Sequence, residues 1–174
     1  MPEIQVRPAT SADIPVLCAL DAAYTTDAVW RMDAAHPQGA LFREMRLPRS
    51  VRVAYPRDLE RLAETWTRFD ALLVAVLQGH PVAFSALEAR PGGLAWLRDL
   101  VVAPRWRRQG IGAALVLASL RWAQARACTR LTAEMQPRNV PAIRLVEKLG
   151  FLFSGYHQHY YAYQETALFF TRSW

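Results

Sequence analysis

Apolar and polar positions along this chain change their period several times, and each change predicts an element. Ile4-Gln5-Val6-Arg7 alternates, as a half-buried strand does. Thr10-Ser11-Ala12-Asp13 is a helix start, with Ser11 or Thr10 as N-cap. Ile14, Leu17, Cys18 and Asp21 continue at helical spacing, and the apolar members form one buried stripe that is expected to fade near Tyr24. Pro37-Gln38-Gly39 is a turn signal between two strand-like runs, Ala28 to Asp33 and Ala40 to Leu47, so residues 28–56 are expected to hold a hairpin. After Pro56, a helix is expected from Arg57 to Phe69, with Leu59, Leu62, Ala63, Trp66 and Phe69 on one face.

Three strands follow, Ala71 to Leu77, Val82 to Ala89 and Leu94 to Val102, joined by Gln78-Gly79-His80-Pro81 and Pro91-Gly92-Gly93. Such short connections predict an antiparallel meander. A helix is expected over Gly110 to Ala127, burying Ile111, Leu115, Ala118 and Trp122. Then come a strand at Thr129 to Met135, a helix from Asn139 to Leu149 that stops at Gly150, and strands at Phe151 to Tyr163 and Thr166 to Arg172. The order β-α-(hairpin)-α-β-β-β-α-β-α-β-β predicts an α+β, or mixed α/β, domain. The 174 residues fit a single domain over 1–174, within which 28–56 is an atypical insert.

Composition narrows the class. Apolar residues make up 52% and charged residues 21%, which is globular and not disordered. No apolar run approaches the roughly 18–20 residues of a membrane helix. MPEIQVRPAT lacks the basic and apolar regions of a signal peptide, so a cytoplasmic location is expected. Cys18 and Cys128 lie in apolar helical patterns and read as buried reduced thiols, and no Cys/His cluster suggests a metal. His157 and His159 share a strand face, but further ligands are not apparent. The net charge of +6 suits an anionic partner. The arginines are scattered apart from Arg105, Arg107 and Arg108, without a basic recognition helix or an aromatic RNA-binding strand. A small-molecule or peptide partner is therefore expected, with no nucleic acid and no membrane. The apolar strand Leu168-Phe169-Phe170, read as an edge, offers a second copy a place to pair, which keeps a homodimer open.

The segment with the most chemistry is Arg107-Arg108-Gln109-Gly110-Ile111-Gly112, which follows an apolar strand and opens a helix. A helix N-terminus offers unpaired N–H groups and partial positive charge. Glycines at 110 and 112 allow close approach of a pyrophosphate, and Arg107 and Arg108 add formal charge. The run is neither a GxGxxG fingerprint with a later ribose-binding acid nor a GxxxxGK[ST] P-loop.

Val101-Val102-Ala103-Pro104 followed by this turn resembles the acetyl-CoA motif of the GNAT superfamily of N-acetyltransferases, R/Q-x-x-G-x-G/A, with Arg107, Gly110 and Gly112 on its fixed positions. Asn139-Val140-Pro141-Ala142-Ile143-Arg144-Leu145 and Leu149-Gly150-Phe151 resemble that family's N-x-x-A-x-x-L-Y-x-x-x-G-F. The later NVPA, GF and Glu165-Thr166-Ala167 segments are also similar to streptothricin acetyltransferases. The resemblance implies a mostly antiparallel twisted sheet flanked by helices, whose parallel fourth and fifth strands splay to admit acetyl-CoA. It implies that the backbone of Val101 and Val102 pairs with the pantetheine arm. It implies that Arg107, Arg108, Gln109, Gly110, Ile111, Gly112 and Ala113 hold the pyrophosphate, and that Asn139 and Ala142 contact the cofactor.

By the same resemblance an amine attacks the thioester directly. Glu134 is the expected base, and Asp99, alternating with Arg98 on its strand, is a second candidate. The family usually has a tyrosine at the position of Val146 as general acid. Valine cannot donate, so either coenzyme A leaves as a stabilised thiolate or another hydroxyl takes over. Tyr156, Tyr160, Tyr161 and Tyr163 are the available hydroxyls, with Tyr160 placed in the catalytic set. Tyr24 and Trp30, with Trp66, are expected around the acceptor amine. An active enzyme, a catalytically weak acetyl-CoA-binding module and a basic nucleic-acid-binding protein are the three functions weighed. The first is preferred.

Overall fold

The computed structural model describes residues 3–35 and 37–174, so Met1 and Pro2, part of the leader reading, lie outside the described residues. Nine strands and four α-helices follow one another: β1 (Ile4–Pro8), α1 (Ile14–Cys18), β2 (Tyr24–Asp33), β3 (Leu41–Val53), α2 (Leu62–Thr65), β4 (Ala71–Leu77), β5 (His80–Arg90), β6 (Leu94–Val102), α3 (Ile111–Ala125), β7 (Arg130–Met135), α4 (Val140–Lys148), β8 (Leu152–His157) and β9 (Ala167–Ser173). Seven strands make one sheet in the order β1-β4-β5-β6-β7-β9-β8, and β2 pairs with β3 as a separate hairpin. Every pairing is antiparallel except β6 with β7. This is the mixed α/β architecture expected from the order of elements.

The apolar run of β4 shows how the layers form. Leu73, Ala75 and Leu77 point to one face, where they join Ile111, Leu115 and Val116 of α3. Leu72, Val74 and Val76 point to the other, where Ile14, Leu17 and Leu62 cover them. A strand buried on both faces has no reason to alternate, which is why ALLVAVL reads as continuous apolar sequence.

The parallel pair is short. Leu94 to Leu97 of β6 match Arg130 to Ala133 of β7, and the pairing stops there although both strands continue. On its other side β6 carries a bulge at the same place: Asp99 opposes Ala86 and Leu97 opposes Leu87, leaving Arg98 as the extra residue. An extra residue bends its strand and increases its twist. The bend turns β6 away from β7 beyond Leu97 and opens a gap between Arg98–Val102 and Glu134–Met135.

Four expectations are corrected. The first helix ends at Cys18, not near Tyr24, and its N-cap position is Asp13. Tyr24 opens β2 because Tyr24, Thr25 and Thr26 pair with Val53, Arg52 and Val51, and these β-favouring residues gain more from the ladder than from a helix. The helix expected over Arg57 to Phe69 is a 3-10 turn, one α-turn and a second 3-10 turn, and Arg57 precedes all three. Asp58 sets the start by accepting from the Glu60 amide at 3.0 Å. Its apolar face forms as expected except at Ala63, which is exposed.

The strand expected to reach Tyr163 ends at His157, so His157 and His159 do not share a strand face. Beyond it His159, Tyr163 and Gln164 adopt positive φ, and the amides of Tyr160 and Tyr161 both donate to the Glu165 carbonyl at 3.0 Å. Finally, β9 is not an edge: it lies between β7 and β8, so Leu168-Phe169-Phe170 cannot pair with another copy. The stop at Gly150 holds. Gly150, at φ 83°, donates to Glu147 at 2.9 Å and Phe151 donates to Val146 at 3.0 Å, closing α4 in a Schellman motif.

Candidate active site

The gap between β6 and β7 is a cleft, with Leu97 and Leu100 on one wall and Ala133, Glu134, Met135 and Gln136 on the other. Asn139, Ala142 and Val146 of the α4 segment line it, as do Tyr55, Pro56 and Tyr161. Two acidic side chains face each other across it, Asp99 on β6 and Glu134 on β7, and both are buried. Two arginines offset them, Arg57 shared by both and Arg98, whose Nε lies 3.7 Å from Asp99 Oδ2. The Arg57 guanidinium donates to Asp99 Oδ1 at 3.1 Å through Nη1 and to Glu134 Oε1 through Nη2. Its Nη1 also donates to the Arg98 carbonyl, the bulge residue, at 3.1 Å. The second oxygen of Glu134 accepts from Trp96 Nε1 at 2.6 Å and from the Tyr160 hydroxyl at 2.7 Å. Asp99 Oδ1 accepts a further bond from the Tyr55 hydroxyl at 2.7 Å.

Burial works against the charged form of Arg57, but the attraction of Asp99 and Glu134 outweighs it and holds the guanidinium above its ordinary pKa. Burial first, and then the bond to Glu134, push the Tyr160 phenol up to about 12. Burial and the neighbouring Asp99 charge raise Tyr55. Burial and the charge of Glu134 raise Tyr161. Every phenol around the two carboxylates thus keeps its proton through the neutral range.

The anion turn begins where β6 ends. Ala103 leads into a 3-10 turn at Pro104–Trp106, then Arg107 to Gly110 deliver the chain to α3. Gly110, the N-cap position of α3, has φ 82° and offers no side-chain cap, so the first amides of the helix lack a protein acceptor on a side chain. A Cβ at Gly110 would meet nothing within 4 Å, which leaves that face open to an anion. Gly112 has a different reason: a Cβ there would lie 3.0 Å from Leu145 Cδ2, so it permits the close approach of α4 to α3. Arg107 is partly committed to the protein, donating from Nε to the Val102 carbonyl at 2.8 Å and from Nη2 to the Asp21 carbonyl at 3.1 Å. Arg108 and Gln109 are exposed beside it.

The structure therefore brings Glu134, Asp99 and Tyr160 into one network, and brings Asn139 and Ala142 to the cleft wall. Asn139 also caps α4, accepting from the Ala142 amide at 3.3 Å. Tyr24 lies one contact away: its hydroxyl donates to Gln136 Oε1 at 2.8 Å, and Gln136 Nε2 donates to Glu165 at 2.7 Å. Trp30 is not on the cleft wall. Its ring stacks with Phe153 and Phe170, and its indole nitrogen is buried without a partner. Arg57, Trp96, Tyr55, Gln136 and Glu165 escape the sequence reading. No spacing marks them as a site, because they converge from four segments: the stretch after β3, β6, the end of β7 and the loop before β9. Among the described residues no three His, Cys, Asp or Glu side chains gather to hold a metal ion, and no helix is long and apolar enough to cross a membrane.

Comparison with known proteins places this architecture. Residues 40–151 match the acetyltransferase (GNAT) family. A streptothricin acetyltransferase of Streptomyces lavendulae is 30% identical over 161 residues, covering 87% of this chain and 82% of that protein. An aminoglycoside N(6')-acetyltransferase type 1 of Klebsiella aerogenes is 39% identical over 77 residues, 40% of this chain, and the match spans about half of that relative, 51%. Among solved structures, a nourseothricin acetyltransferase superposes with a TM-score of 0.85 at 25% identity over 98% of both chains. A protein from Bacillus anthracis, solved in complex with acetyl coenzyme A, shares the fold at a TM-score of 0.80 and 18% identity, covering 99% of this chain and 100% of that one. With the splayed strands, the open glycine turn and the family match in agreement, the chain belongs to the acetyltransferase (GNAT) family and is an enzyme of the N-acetyltransferase class.

Proposed function

We propose that this enzyme takes its acetyl group from acetyl coenzyme A and transfers it to a primary amine of an antibiotic of the streptothricin kind. The single observation that carries the donor is the cleft itself, an unpaired length of β6 leading straight into an uncapped helix N-terminus. Bound there, acetyl coenzyme A supplies an activated thioester. The amides at the start of α3, with Arg108 and Gln109, hold its anionic end. Leu100 to Val102 run on beyond the pairing with β7, the Val102 carbonyl being held by Arg107 Nε at 2.8 Å, and Asn139 and Ala142 flank the opposite wall.

The acceptor class rests on likeness over nearly the whole chain to the streptothricin and nourseothricin enzymes. The charge of the cleft agrees with an amine. Asp99 and Glu134 lie side by side here, and their carboxylates favour an ammonium nearby even though Arg57 bridges them and Arg98 Nε lies 3.7 Å from Asp99 Oδ2. Glu134 receives that ammonium and takes its proton through a water, because both carboxylate oxygens are already bonded by protein donors.

The test is purified protein with acetyl coenzyme A and three acceptors: nourseothricin, an aminoglycoside, and a peptide with a free N-terminal alanine. Thiol release and product mass are read together. The expected result is a singly acetylated nourseothricin, lost by about 10²-fold or more in Glu134→Gln. Coenzyme A binding without turnover on any acceptor overturns the reading in favour of a binding module. Turnover on the peptide alone overturns the acceptor class.

A further inference from the structure

We propose that Tyr161 is the proton donor to the departing sulfur of coenzyme A, replacing the hydroxyl that Val146 lacks. This rests on the acetyl-transfer reading above. Val146 is fully buried and lines the cleft, so no hydroxyl is available where the family places one. All six tyrosines of the chain can be accounted for. Tyr24, Tyr55 and Tyr160 already commit their hydroxyl hydrogens to hydrogen bonds, with Gln136, Asp99 and Glu134 respectively. Tyr156 stacks on Phe42 at the exposed end of β8, and Tyr163 is wholly exposed.

Tyr161 differs from all of them. It lines the same cleft as Val146, Asn139 and Glu134 while the residue as a whole is only 7% exposed. Its hydroxyl has no hydrogen-bond partner among the described residues. It is also not one of the buried polar atoms left unsatisfied, since that condition is met by Trp30 Nε1 alone among the described residues. The oxygen is therefore accessible, on a side chain that lines the cleft. The loop that carries it is fixed: the Tyr161 amide is bonded to Glu165, and the Arg57 guanidinium carbon sits 5.1 Å from the centre of the phenol ring.

The step balances as follows. The amine nitrogen lone pair forms the new C–N bond, and the C–S bond breaks with its electron pair going to sulfur. Tyr161 Oη gives its proton to that sulfur. Glu134 takes one proton from the ammonium through water before attack, and the adduct nitrogen loses a second to cleft water. Both pass on to solvent, and solvent returns one proton to Tyr161. Burial keeps the phenol protonated before the step, and the Arg57 charge beside the ring steadies the phenolate after it.

The experiment compares wild type with Tyr161→Phe, using acetyl coenzyme A and the acetyl thioester of thiophenol, whose thiol leaves without help. Coenzyme A affinity and thermal unfolding are measured in parallel. The expected result is a fall in kcat of about 10²-fold with acetyl coenzyme A, an unchanged KM for it, and recovery with the thiophenyl donor. Equal losses with both donors, or no loss with either, overturn the proposal. Wild type alone gives a second measure. Across a series of acetyl thioesters, a shallow dependence of kcat on thiol basicity supports a donor in the cleft, and a steep one overturns it. Failure of the acetyl-transfer reading is distinct, because wild type would then turn over neither donor.

Discussion

Arg57 and Asp99 are ion-paired at 3.1 Å across a sequence separation of 42 residues, and the same guanidinium reaches Glu134 on the far wall of the cleft. The two strands that no longer hydrogen-bond to each other are thus joined by one side chain from the segment after β3. Removing that side chain takes the bridging cation from two buried carboxylates. Arg57→Gln is expected to cost about 3 kcal/mol of stability, read as a lower urea midpoint. Its effect and that of Asp99→Asn are expected to be non-additive in a double-mutant cycle, since each removes the same contact.

Tyr160 offers a pH test with a definite sign. Its folded pKa is raised to about 12 from an ordinary value near 10. The unfolded chain loses this proton first, so the group's contribution to stability is complete below pH of about 10 and is lost as pH rises toward about 12. Phenolate absorbance of the folded protein is expected to show a late-ionising tyrosine that disappears in Tyr160→Phe. An unchanged titration in that variant would contradict the raised pKa of Tyr160, whose first cause is burial.

The opposite sign is expected at Asp13. The Arg7 guanidinium, with bonds of 2.8 and 2.9 Å, and the Thr10 amide and hydroxyl hold its carboxyl well below the usual carboxylate range. A depressed folded pKa gives stability that is present above pH of about 4 and is lost as pH falls through the folded value. Asp13→Asn is therefore expected to lose about 2 kcal/mol at neutral pH, with the gap to wild type closing in acid. Denaturant midpoints across pH measure it.

The two glycines of the anion turn are expected to fail differently. Gly112→Val places bulk against Leu145 and is expected to cost about 1–3 kcal/mol by overpacking the α3–α4 contact. Gly110→Ala meets no neighbour, but at φ 82° it strains the backbone by about 1 kcal/mol and distorts the helix start. Coenzyme A affinity is expected to fall in Gly110→Ala even where the unfolding midpoint barely moves.

Much of the fold is written in local pattern. The runs for β4, β6 and β7 give their strands almost to the residue, because short apolar runs bounded by turns must be buried somewhere. Gly150 ends α4 as expected, since a left-handed residue there needs no tertiary help. The first helix is misread because its stripe is real but short, and pairing with β3 claims Tyr24 onward. Tyr160 and Tyr161 are apolar enough to look like strand, yet His159, Tyr163 and Gln164 turn the chain out of the sheet.

By itself, then, the sequence determined most of the order of elements, the glycine turn and the placing of Glu134 and Asp99 on strands. These follow from contacts between residues near in sequence, or from side-chain period alone. Only the tertiary structure decided what those carboxylates touch. Arg57, Trp96 and Tyr160 reach those carboxylates from three separate segments, and Tyr161, next to Tyr160, lines the cleft; a one-residue bulge at Arg98 and a loop beyond β8 bring them there. Long-range convergence of this kind leaves no periodic trace, because its energy lies in pairwise charge and hydrogen bonding across the fold and not in the burial of a face.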